Sequence, residues 1–186
     1  MADGSGYPSD LLSVPGVAFD VKILDPAERI RAYIRGYVSP VSADGEDAMD
    51  DKLMRDQITL VSASSCEEET VAVFLVKGGS NLSNRLGNLH GGAKSLIYDM
   101  CTTMCAAPLA REGFWEFGGV SQNLSVTFLR PAKANREILV KCQVLKIGKR
   151  LATIRGEMRD KVTGTLLSVA EHTKATVSFV SSKAAL

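Results

Sequence analysis

The sequence predicts an α+β fold in which an antiparallel sheet wraps around one long, apolar helix. Two strand-like segments precede this helix and four follow it, and the helical segment is small or apolar on nearly every side. A sheet and a buried helix each have an apolar surface to cover, and packing them together covers both. The sequence contains no internal repeat and no alternation of strands with helices, so a parallel α/β fold is not expected.

The first part of the chain is predicted to be an appendage to this fold. Residues 1–22 are rich in Gly, Ser and Pro, which predicts disorder at the start. Asp25 followed by Pro26 is typical of a helix N-terminus, and this helix is expected to continue through Arg35. A second short helix is predicted over residues 46–54. The predicted organisation is an N-terminal extension (1–55), a main domain (56–180) and a tail (181–186).

Six strands are predicted from alternating apolar and polar residues. The first two, starting at Gln57 and Thr70, are separated by a polar turn and form a hairpin. The other four follow the long helix and are expected over residues 119–129, 138–144, 151–160 and 167–179. In the first of these four, one face is predicted to carry Val120, Leu124, Val126 and Phe128.

The most informative segment is a loop that ends in His90-Gly91-Gly92 and leads directly into the apolar helix, residues 93–107. Glycine has no Cβ, so a ligand can approach the backbone closely at these positions. The first N–H groups of a helix have no partner within the helix and lie at the positive end of its dipole. They can therefore stabilise a carbonyl oxygen that gains negative charge during a reaction.

Asp99 is the one acid in this helix, and its apolar neighbours predict that it is buried. The other charge, Lys94, lies close to the helix start. Burying a polar group without a partner costs roughly 2–7 kcal/mol, so a carboxylate in this position suggests chemistry, typically that of a general base. The alternative is a structural Asp that binds a neighbouring turn or pairs with an Arg.

Helix geometry adds an expectation about assembly. Asp99 follows Gly91 by eight residues, so a rise of 1.5 Å per residue separates them by roughly 12 Å along the axis. One small substrate centre cannot contact both groups at that separation. If both act in one reaction, they must come from different copies of the chain, and a two-fold dimer would contain two such sites.

Composition excludes several classes of function. A net charge of +1 and a pI near 7.6 give no long-range field to attract nucleic acid or an anionic membrane. No apolar run is long enough to span a bilayer. The two histidines argue against a multi-histidine metal site, and the four cysteines lack zinc-site spacing. Cys101 and Cys105, one turn apart on the apolar helix, are expected to be core residues.

The termini carry no recognisable targeting signal, so the cytosol is the expected compartment. Residues 1–20 lack the basic start and apolar centre of a secretory signal. Asp3, Asp10 and Asp20 argue against a mitochondrial presequence. The last four residues, 183–186, do not form a peroxisomal signal.

Several short motifs occur in a characteristic order: Asn84 before His90-Gly91-Gly92, Asp99, Gly119-Val120-Ser121, Leu129-Arg130-Pro131-Ala132 and Gly148-Lys149-Arg150. In this arrangement the chain resembles the hotdog-fold acyl-CoA thioesterases over residues 57–179. The similar branch contains the bacterial phenylacetate-pathway enzymes and the small mammalian acyl-CoA thioesterase. His-Gly-Gly alone is a weak motif, and its spacing to Asp99 and the later motifs make the resemblance specific.

The resemblance implies a role for each matching residue. Asp99 would orient or deprotonate the attacking water, and Ser121 would hold that water. The Gly91 N–H and the Asn84 side chain would polarise the thioester carbonyl, with His90 close to the thioester. Enzymes of this type use water directly, without a nucleophilic side chain. Without the motif, Ser121 reads as an ordinary strand serine, and Asn84 and His90 as loop residues that bind the backbone.

A cationic hairpin is the candidate site for the coenzyme A phosphates. Lys146, Lys149 and Arg150 surround Gly148, and cations beside a glycine turn suit phosphate. Residue types alone favour a solvated turn, whereas the family resemblance implies contact with coenzyme A. Arg130, His172 and Lys174 are lesser candidates.

The function predicted from these residues is hydrolysis of an acyl-CoA to a free acid and coenzyme A. A thioester is already activated, so no metal or organic cofactor is expected, and positioned water with an oxyanion site would provide the catalysis. The expected assembly is a homodimer or, preferably, a homotetramer. The alternatives are hydrolysis of carrier-protein or polyketide thioesters, hydration of an enoyl-CoA, and non-catalytic acyl-CoA binding. Hydration is disfavoured because no histidine follows Asp99 until His172.

Lys94 and the aromatic residues Phe114, Trp115 and Phe117 depart from the family pattern, and the aromatics could shape an acyl pocket or cover an interface.

Overall fold

A computed structural model describes residues 16–37 and 47–177. Two α-helices are present in these ranges: α1 (Pro26–Arg35) and the long α2 (Gly91–Cys105). The strands are β1 (Ile58–Ser65), β2 (Thr70–Lys77), β3 (Val120–Phe128), β4 (Glu137–Ile147), β5 (Leu151–Asp160) and β6 (Leu166–Ala175). A π-helical turn (Leu53–Gln57) precedes β1, and a 3₁₀ turn (Ala107–Leu109) follows α2.

All neighbouring strands are antiparallel, in the spatial order β1-β2-β4-β5-β6-β3, and α2 packs against this sheet. Gly156 in the central strand β5 allows this packing, because a Cβ there would lie 2.7 Å from the ring of Tyr98. The Tyr98 hydroxyl then donates a 2.8 Å hydrogen bond to the Ser168 carbonyl on β6. The predicted fold class, an antiparallel sheet wrapped around one long helix, is confirmed.

Element boundaries differ from the prediction in identifiable ways. Helix α2 begins at Gly91, two residues early, because His90 serves as its N-cap. The second N-terminal helix, expected over 46–54, is observed as a helix from Asp51 that continues as the π-helical turn, and Glu46 lies outside the described residues. Residues 1–15, 178–179 and the tail expected at 181–186 also lie outside them.

The extension is fixed to the main fold by one buried guanidinium. Arg29 on α1 is only 4% exposed. It donates hydrogen bonds to the carbonyl groups of Ala107 and Ala110 just beyond α2, both at 2.9 Å. It also donates to Ile23 at 2.7 Å and to Val21 at 3.1 Å. Arg29 therefore fixes the turn that follows α2 to the segment before α1.

The core confirms the prediction for the helix cysteines. Cys101 and Cys105 are fully buried, as is Cys142 on β4. Burial raises the pKa of the Cys105 thiol to about 12, so this group remains neutral. Within the described ranges, no helix is long and apolar enough to cross a membrane.

Candidate active site

Asp99 is neither fully buried nor alone, in contrast to the prediction. Its side chain is 37% exposed in the protomer. The Ser121 hydroxyl donates a 2.8 Å hydrogen bond to Asp99 Oδ1. His172 Nε2 lies 3.6 Å and Lys174 Nζ lies 3.8 Å from the same oxygen. The sequence of α2 alone could not predict this polar environment, because the other polar side chains around Asp99 come from β3 and β6.

A β-bulge brings Ser121 to the helix-facing side of the sheet. The register between β3 and β6 shifts between Ser121 and Asn123, so Ser121 lies opposite Lys174 and Leu124 lies opposite His172. Residues directly opposite in an antiparallel pair share a face, and Lys174 and His172 both face α2. In a regular strand, Ser121 and Leu124 would lie on opposite faces because they are three residues apart. The extra residue in the bulge places both side chains on the face toward α2.

The same bulge corrects one strand prediction. Val120 was expected to share a face with Leu124 and Val126, but it lies before the bulge, opposite Ala175, and is exposed. Leu124 and Val126 are half-buried against the core as expected. Phe128, expected on that face, is 51% exposed in the protomer.

Gly119 must be glycine for Ser121 to reach this position. Its φ is +68°, a conformation that side chains other than glycine rarely adopt. A Cβ at Gly119 would lie 2.5 Å from the Ala175 carbonyl oxygen and 2.6 Å from the Trp115 ring. The Gly-Val-Ser motif therefore has a physical basis: a tight backbone crossing starts β3, and the bulge then turns Ser121 toward Asp99.

His172 is fully buried on β6 and held by α2. Its Nδ1 lies 2.6 Å from the Thr102 hydroxyl, and that hydroxyl donates its proton to the Tyr98 carbonyl at 2.6 Å. When this proton points to the Tyr98 carbonyl, Thr102 can only accept from His172, and the imidazole proton is then on Nδ1. Burial, and to a lesser extent Lys174, lowers the pKa of His172 to about 4 although Asp99 opposes this, so the ring is neutral. Its Nε2 atom has no hydrogen-bond partner among the described residues.

Lys174 is 3% exposed, and its ammonium donates a 2.7 Å hydrogen bond to the Thr103 hydroxyl. Burial lowers the pKa of Lys174, and Asp99 acts in the opposite direction. His172 and Lys174 were weaker candidates for binding coenzyme A phosphates. That assignment is wrong, because both side chains are enclosed beside Asp99. The sequence did contain a signal for this position: His172 and Lys174 are ionisable residues at alternate positions of a core strand, which directs both side chains to the same face.

A second polar group surrounds the N-terminus of α2. The Gly92 N–H donates to His90 Nδ1 at 3.0 Å, so neutral His90 carries its proton on the exposed Nε2 side. The Gly91 N–H has no hydrogen bond within the described residues. Asn84 Oδ1 accepts from the N–H groups of Leu86 at 2.9 Å and Asn88 at 3.1 Å. Its amide nitrogen has no such partner in the described ranges and can donate to a ligand.

The predicted site residues thus form two groups within one protomer. Asn84, His90 and Gly91 lie at the start of α2, whereas Asp99 and Ser121 lie at its middle. Asp99 is eight residues beyond Gly91 in the same helix, and the helical rise separates them by about 12 Å. Strand β3 connects both groups, because the Phe128 ring lies 3.5 Å from the position of a Gly91 Cβ.

The cationic hairpin lies at the same end of the sheet as Asp99. Leu151, directly after it, is opposite Ala175 of β6, which is opposite Val120 of β3. Lys146, Lys149 and Arg150 are exposed, and no ion pair involves them within the described part of the chain. Arg130 is separate from this hairpin, since it donates to the Leu166 carbonyl at the other end of β6.

Lys94 and Trp115, two departures from the family pattern, are both buried. Lys94 Nζ donates a 3.3 Å hydrogen bond to the Arg130 carbonyl and lies 5.4 Å from the centre of the Phe128 ring. Trp115 Nε1 donates to the Gly148 carbonyl in the hairpin at 2.7 Å. Trp115 therefore supports the hairpin instead of facing solvent.

Comparison with known proteins finds similarity to proteins that are described as thioesterases. Residues 86–167 match the family model described as "Thioesterase superfamily". Mouse acyl-coenzyme A thioesterase 13 is 34% identical over 119 residues, which cover 64% of this chain and 79% of that protein. The crystal structure of zebra fish thioesterase superfamily member 2 matches with a TM-score of 0.66 and 26% identity, covering 81% of this chain and 98% of that one. The mouse thioesterase superfamily member 2 structure matches with a TM-score of 0.64 and 27% identity, covering 82% and 98%.

Proposed function

This chain belongs to the thioesterase superfamily and is a hotdog-fold enzyme that hydrolyses acyl-CoA thioesters, and we propose that Asp99 activates the attacking water at a site built by two protomers. The family and reaction predicted from the sequence are thus confirmed. The residue roles and the assembly, developed below, are our proposal.

The arrangement around Asp99 Oδ1 is the observation that carries this mechanism. With the imidazole proton on Nδ1, His172 Nε2 is an acceptor without a partner in the described residues, and it lies 3.6 Å from Asp99 Oδ1. A water molecule can donate one hydrogen to each acceptor, which satisfies both. The Ser121 hydroxyl donates to Asp99 Oδ1 and so fixes the carboxylate beside the water site. His172 and Asp99 would hold one water by its two hydrogens, with an oxygen lone pair directed at the substrate.

The reaction then requires two bond changes. The water oxygen attacks the thioester carbonyl carbon while Asp99 accepts a water proton. The carbonyl oxygen becomes negative and is stabilised by the Gly91 N–H and the Asn84 amide nitrogen. The tetrahedral intermediate collapses, the carbon–sulfur bond breaks, and the sulfur receives a proton. Asp99 gives the proton it took from water to the departing thiolate and is thereby restored, while the Nε2–H of His90 can donate a hydrogen bond to the sulfur.

Strand β3 provides the geometry for a two-protomer site. It is the edge of the sheet, pairs only with β6 within the described residues, and exposes Val120 and Phe128. An unpaired apolar edge strand is a surface for pairing with another chain. Antiparallel pairing of two β3 strands about a two-fold axis places the Ser121 end of one beside the Phe128 end of the other. Because Ser121 contacts Asp99 and Phe128 contacts Gly91, this pairing faces Asp99 of one protomer toward Gly91 of its partner.

The hairpin that follows β4 would receive the anionic end of coenzyme A. It lies at the Asp99 end of the sheet and carries three exposed cations without ion-pair partners in the described chain. Phosphate groups bind such cations by charge-assisted hydrogen bonds. The homodimer is the proposed catalytic unit, and a tetramer as a pair of dimers is the proposed assembly, to be measured by sedimentation.

Hydration of an enoyl-CoA is the second candidate, and one observation revives it. The sequence separation of Asp99 and His172 argued against an aspartate–histidine pair, but the fold brings them within 3.6 Å. Such a pair can also direct water at an enoyl carbon. Hydration would consume an unsaturated acyl-CoA without releasing a thiol, whereas hydrolysis releases one thiol per acyl group.

A panel of acyl-CoAs with thiol-release detection tests the proposed function. Saturated chains of increasing length, an aryl-acetyl-CoA and an enoyl-CoA should be compared at equal concentration. We expect thiol release from at least one saturated or aryl-acetyl substrate, with one free acid formed per thiol. Loss of the enoyl absorbance without thiol release would instead support hydration. Binding of every substrate without turnover would identify a non-catalytic acyl-CoA-binding protein.

A further inference from the structure

Trp115 combines burial, backbone strain and a specific hydrogen bond. It is 3% exposed and lies in the connection between α2 and β3. Its φ is +57°, and no other non-glycine residue within the described ranges has a positive φ. A bulky side chain in this conformation persists only where its surroundings determine it strongly. The cause of that constraint is visible in its contacts.

The Trp115 ring bridges two segments that belong to the proposed site. Its Nε1–H donates a 2.7 Å hydrogen bond to the Gly148 carbonyl at the tip of the cationic hairpin. Its Cζ3 atom lies 2.6 Å from the position that a Cβ of Gly119 would occupy, so the ring also covers the start of β3. One side chain therefore links the hairpin to the strand that carries Ser121.

The hairpin is held at few other points. The Gly148 N–H donates to the Leu151 carbonyl at 2.8 Å and closes the turn, and the Arg150 carbonyl accepts from the Thr176 N–H at 2.9 Å. Lys146, Lys149 and Arg150 project into solvent. A phosphate-binding turn requires its cations in a fixed arrangement, because ordering flexible side chains and backbone on binding costs affinity. The indole contact is the one side-chain hydrogen bond to the hairpin backbone within the described chain.

We propose that Trp115 is a positioning residue that fixes the 146–150 hairpin for the phosphates of coenzyme A. This inference rests on the proposed function and adds a residue in the α2–β3 connection to it. Trp115 acts on the nucleotide end of the substrate and leaves the chemistry at the thioester unchanged. Its effect must therefore depend on whether the substrate carries the nucleotide.

Substitution of Trp115 by Phe removes the N–H and keeps an aromatic ring. Steady-state kinetics should be measured with two thioesters of the same acyl group, one of coenzyme A and one of N-acetylcysteamine, which has no phosphate. We expect KM for the acyl-CoA to rise about tenfold, because the hairpin loses the hydrogen bond that orders it before the substrate binds. The turnover number, and all constants for the N-acetylcysteamine thioester, should stay at wild-type values. Equal changes with both thioesters, or no change with either, would overturn the proposal.

Two controls separate positioning from general damage. Phe114→Leu alters the same connection, where Phe114 packs on Arg111, without removing a bond to the hairpin, so KM should not change. In a chain with Lys146, Lys149 and Arg150 replaced by Met, Trp115→Phe should have no further effect on KM, because contacts acting through one element are not additive. Additive effects would mean that Trp115 acts elsewhere. If wild type hydrolyses neither thioester, the proposed function fails first.

A measurement on the wild-type chain does not depend on the stability of any variant. Trp115 is the one tryptophan of the sequence, so intrinsic tryptophan fluorescence reports this contact alone. Titration with adenosine 3′,5′-bisphosphate should change the emission of Trp115 saturably, and added salt should weaken the effect. N-acetylcysteamine should leave the emission unchanged. An emission that does not respond to the bisphosphate at concentrations that inhibit hydrolysis would contradict the proposal.

Discussion

The Ser121 hydroxyl donates a 2.8 Å hydrogen bond to Asp99 Oδ1, although the two residues belong to different elements and Ser121 lies at an open sheet edge. This contact depends on a glycine with positive φ and on a β-bulge, both located within four residues of Ser121. Among the described residues, this hydroxyl is the one side-chain group that donates a hydrogen bond to the Asp99 carboxylate. A carboxylate fixed in this way can orient a water molecule and accept its proton.

Substitution of Asp99 by Asn should abolish most of the activity. The variant is nearly isosteric and can still accept from Ser121, but it cannot take a proton. We expect the turnover number on an acyl-CoA to fall by roughly 10²–10⁴, with unchanged circular dichroism. Asp56→Asn, at an exposed acid whose ion-pair partner in the described part of the chain is Arg55, is the control and should retain wild-type turnover. Wild-type activity in Asp99→Asn would make Asp99 a structural acid.

Acid should destabilise the chain through His172. Burial holds its folded-state pKa at about 4, below the ordinary value of 6.5. Between these values the unfolded chain binds a proton that the folded chain does not, so stability is lost as pH falls from 6.5 toward 4. The loss is at most about 3 kcal/mol. Urea unfolding at pH 7 and pH 4.5 should show that His172→Gln removes much of this difference. An equal pH dependence in both chains would assign the acid sensitivity to other groups.

Gly119→Ala should damage both stability and the site. Gly119 and Gly164 share a φ of +68°, but a Cβ meets atoms at 2.5 and 2.6 Å at Gly119 and nothing within 4 Å at Gly164. Gly164→Ala therefore measures the backbone strain alone, about 1 kcal/mol. Gly119→Ala adds the overlap with Ala175 and Trp115, and we expect about 2 kcal/mol of further destabilisation and reduced turnover. Equal unfolding free energies for the two variants would show that the backbone relaxes without cost.

Arg29→Met should loosen the N-terminal segment. Loss of the guanidinium leaves the Ala110 carbonyl without a donor among the described residues and the Ala107 carbonyl with only the Ala110 N–H, and the expected cost is about 3 kcal/mol. Arg31→Met removes an exposed ion pair with Glu28 and should cost less than about 1 kcal/mol. Limited proteolysis should then cut before residue 37 in Arg29→Met alone. Equal resistance of both variants would mean that α1 docks independently of Arg29.

The fold was predictable because its signals are local. Period-two alternation marks the strands, and the apolar run from Ala93 marks the helix, so type and order of the elements could be derived from the sequence. The bulge after Ser121 was not predictable, since it follows from pairing with β6 and reverses the face that alternation assigns. Asp99 could be singled out from the sequence as the acid of an apolar helix, but its polar environment could not be predicted. His172 and Lys174 approach it only because β6 lies between β3 and β5, an order that no local pattern encodes.

The central claim is that Asp99 and Gly91 of one site come from different protomers, and subunit mixing tests it most directly. An Asp99→Asn chain should be exchanged with an Asn84→Ala chain, which is damaged at the carbonyl-polarising side. A mixed dimer then unites both lesions in one site and leaves the other site intact. We predict that the mixture regains activity, up to half the sites of each heterodimer, while either parent alone remains inactive. Activity that stays at the parental level, with heterodimers confirmed by mass spectrometry, would place both groups in one protomer and contradict the two-protomer site.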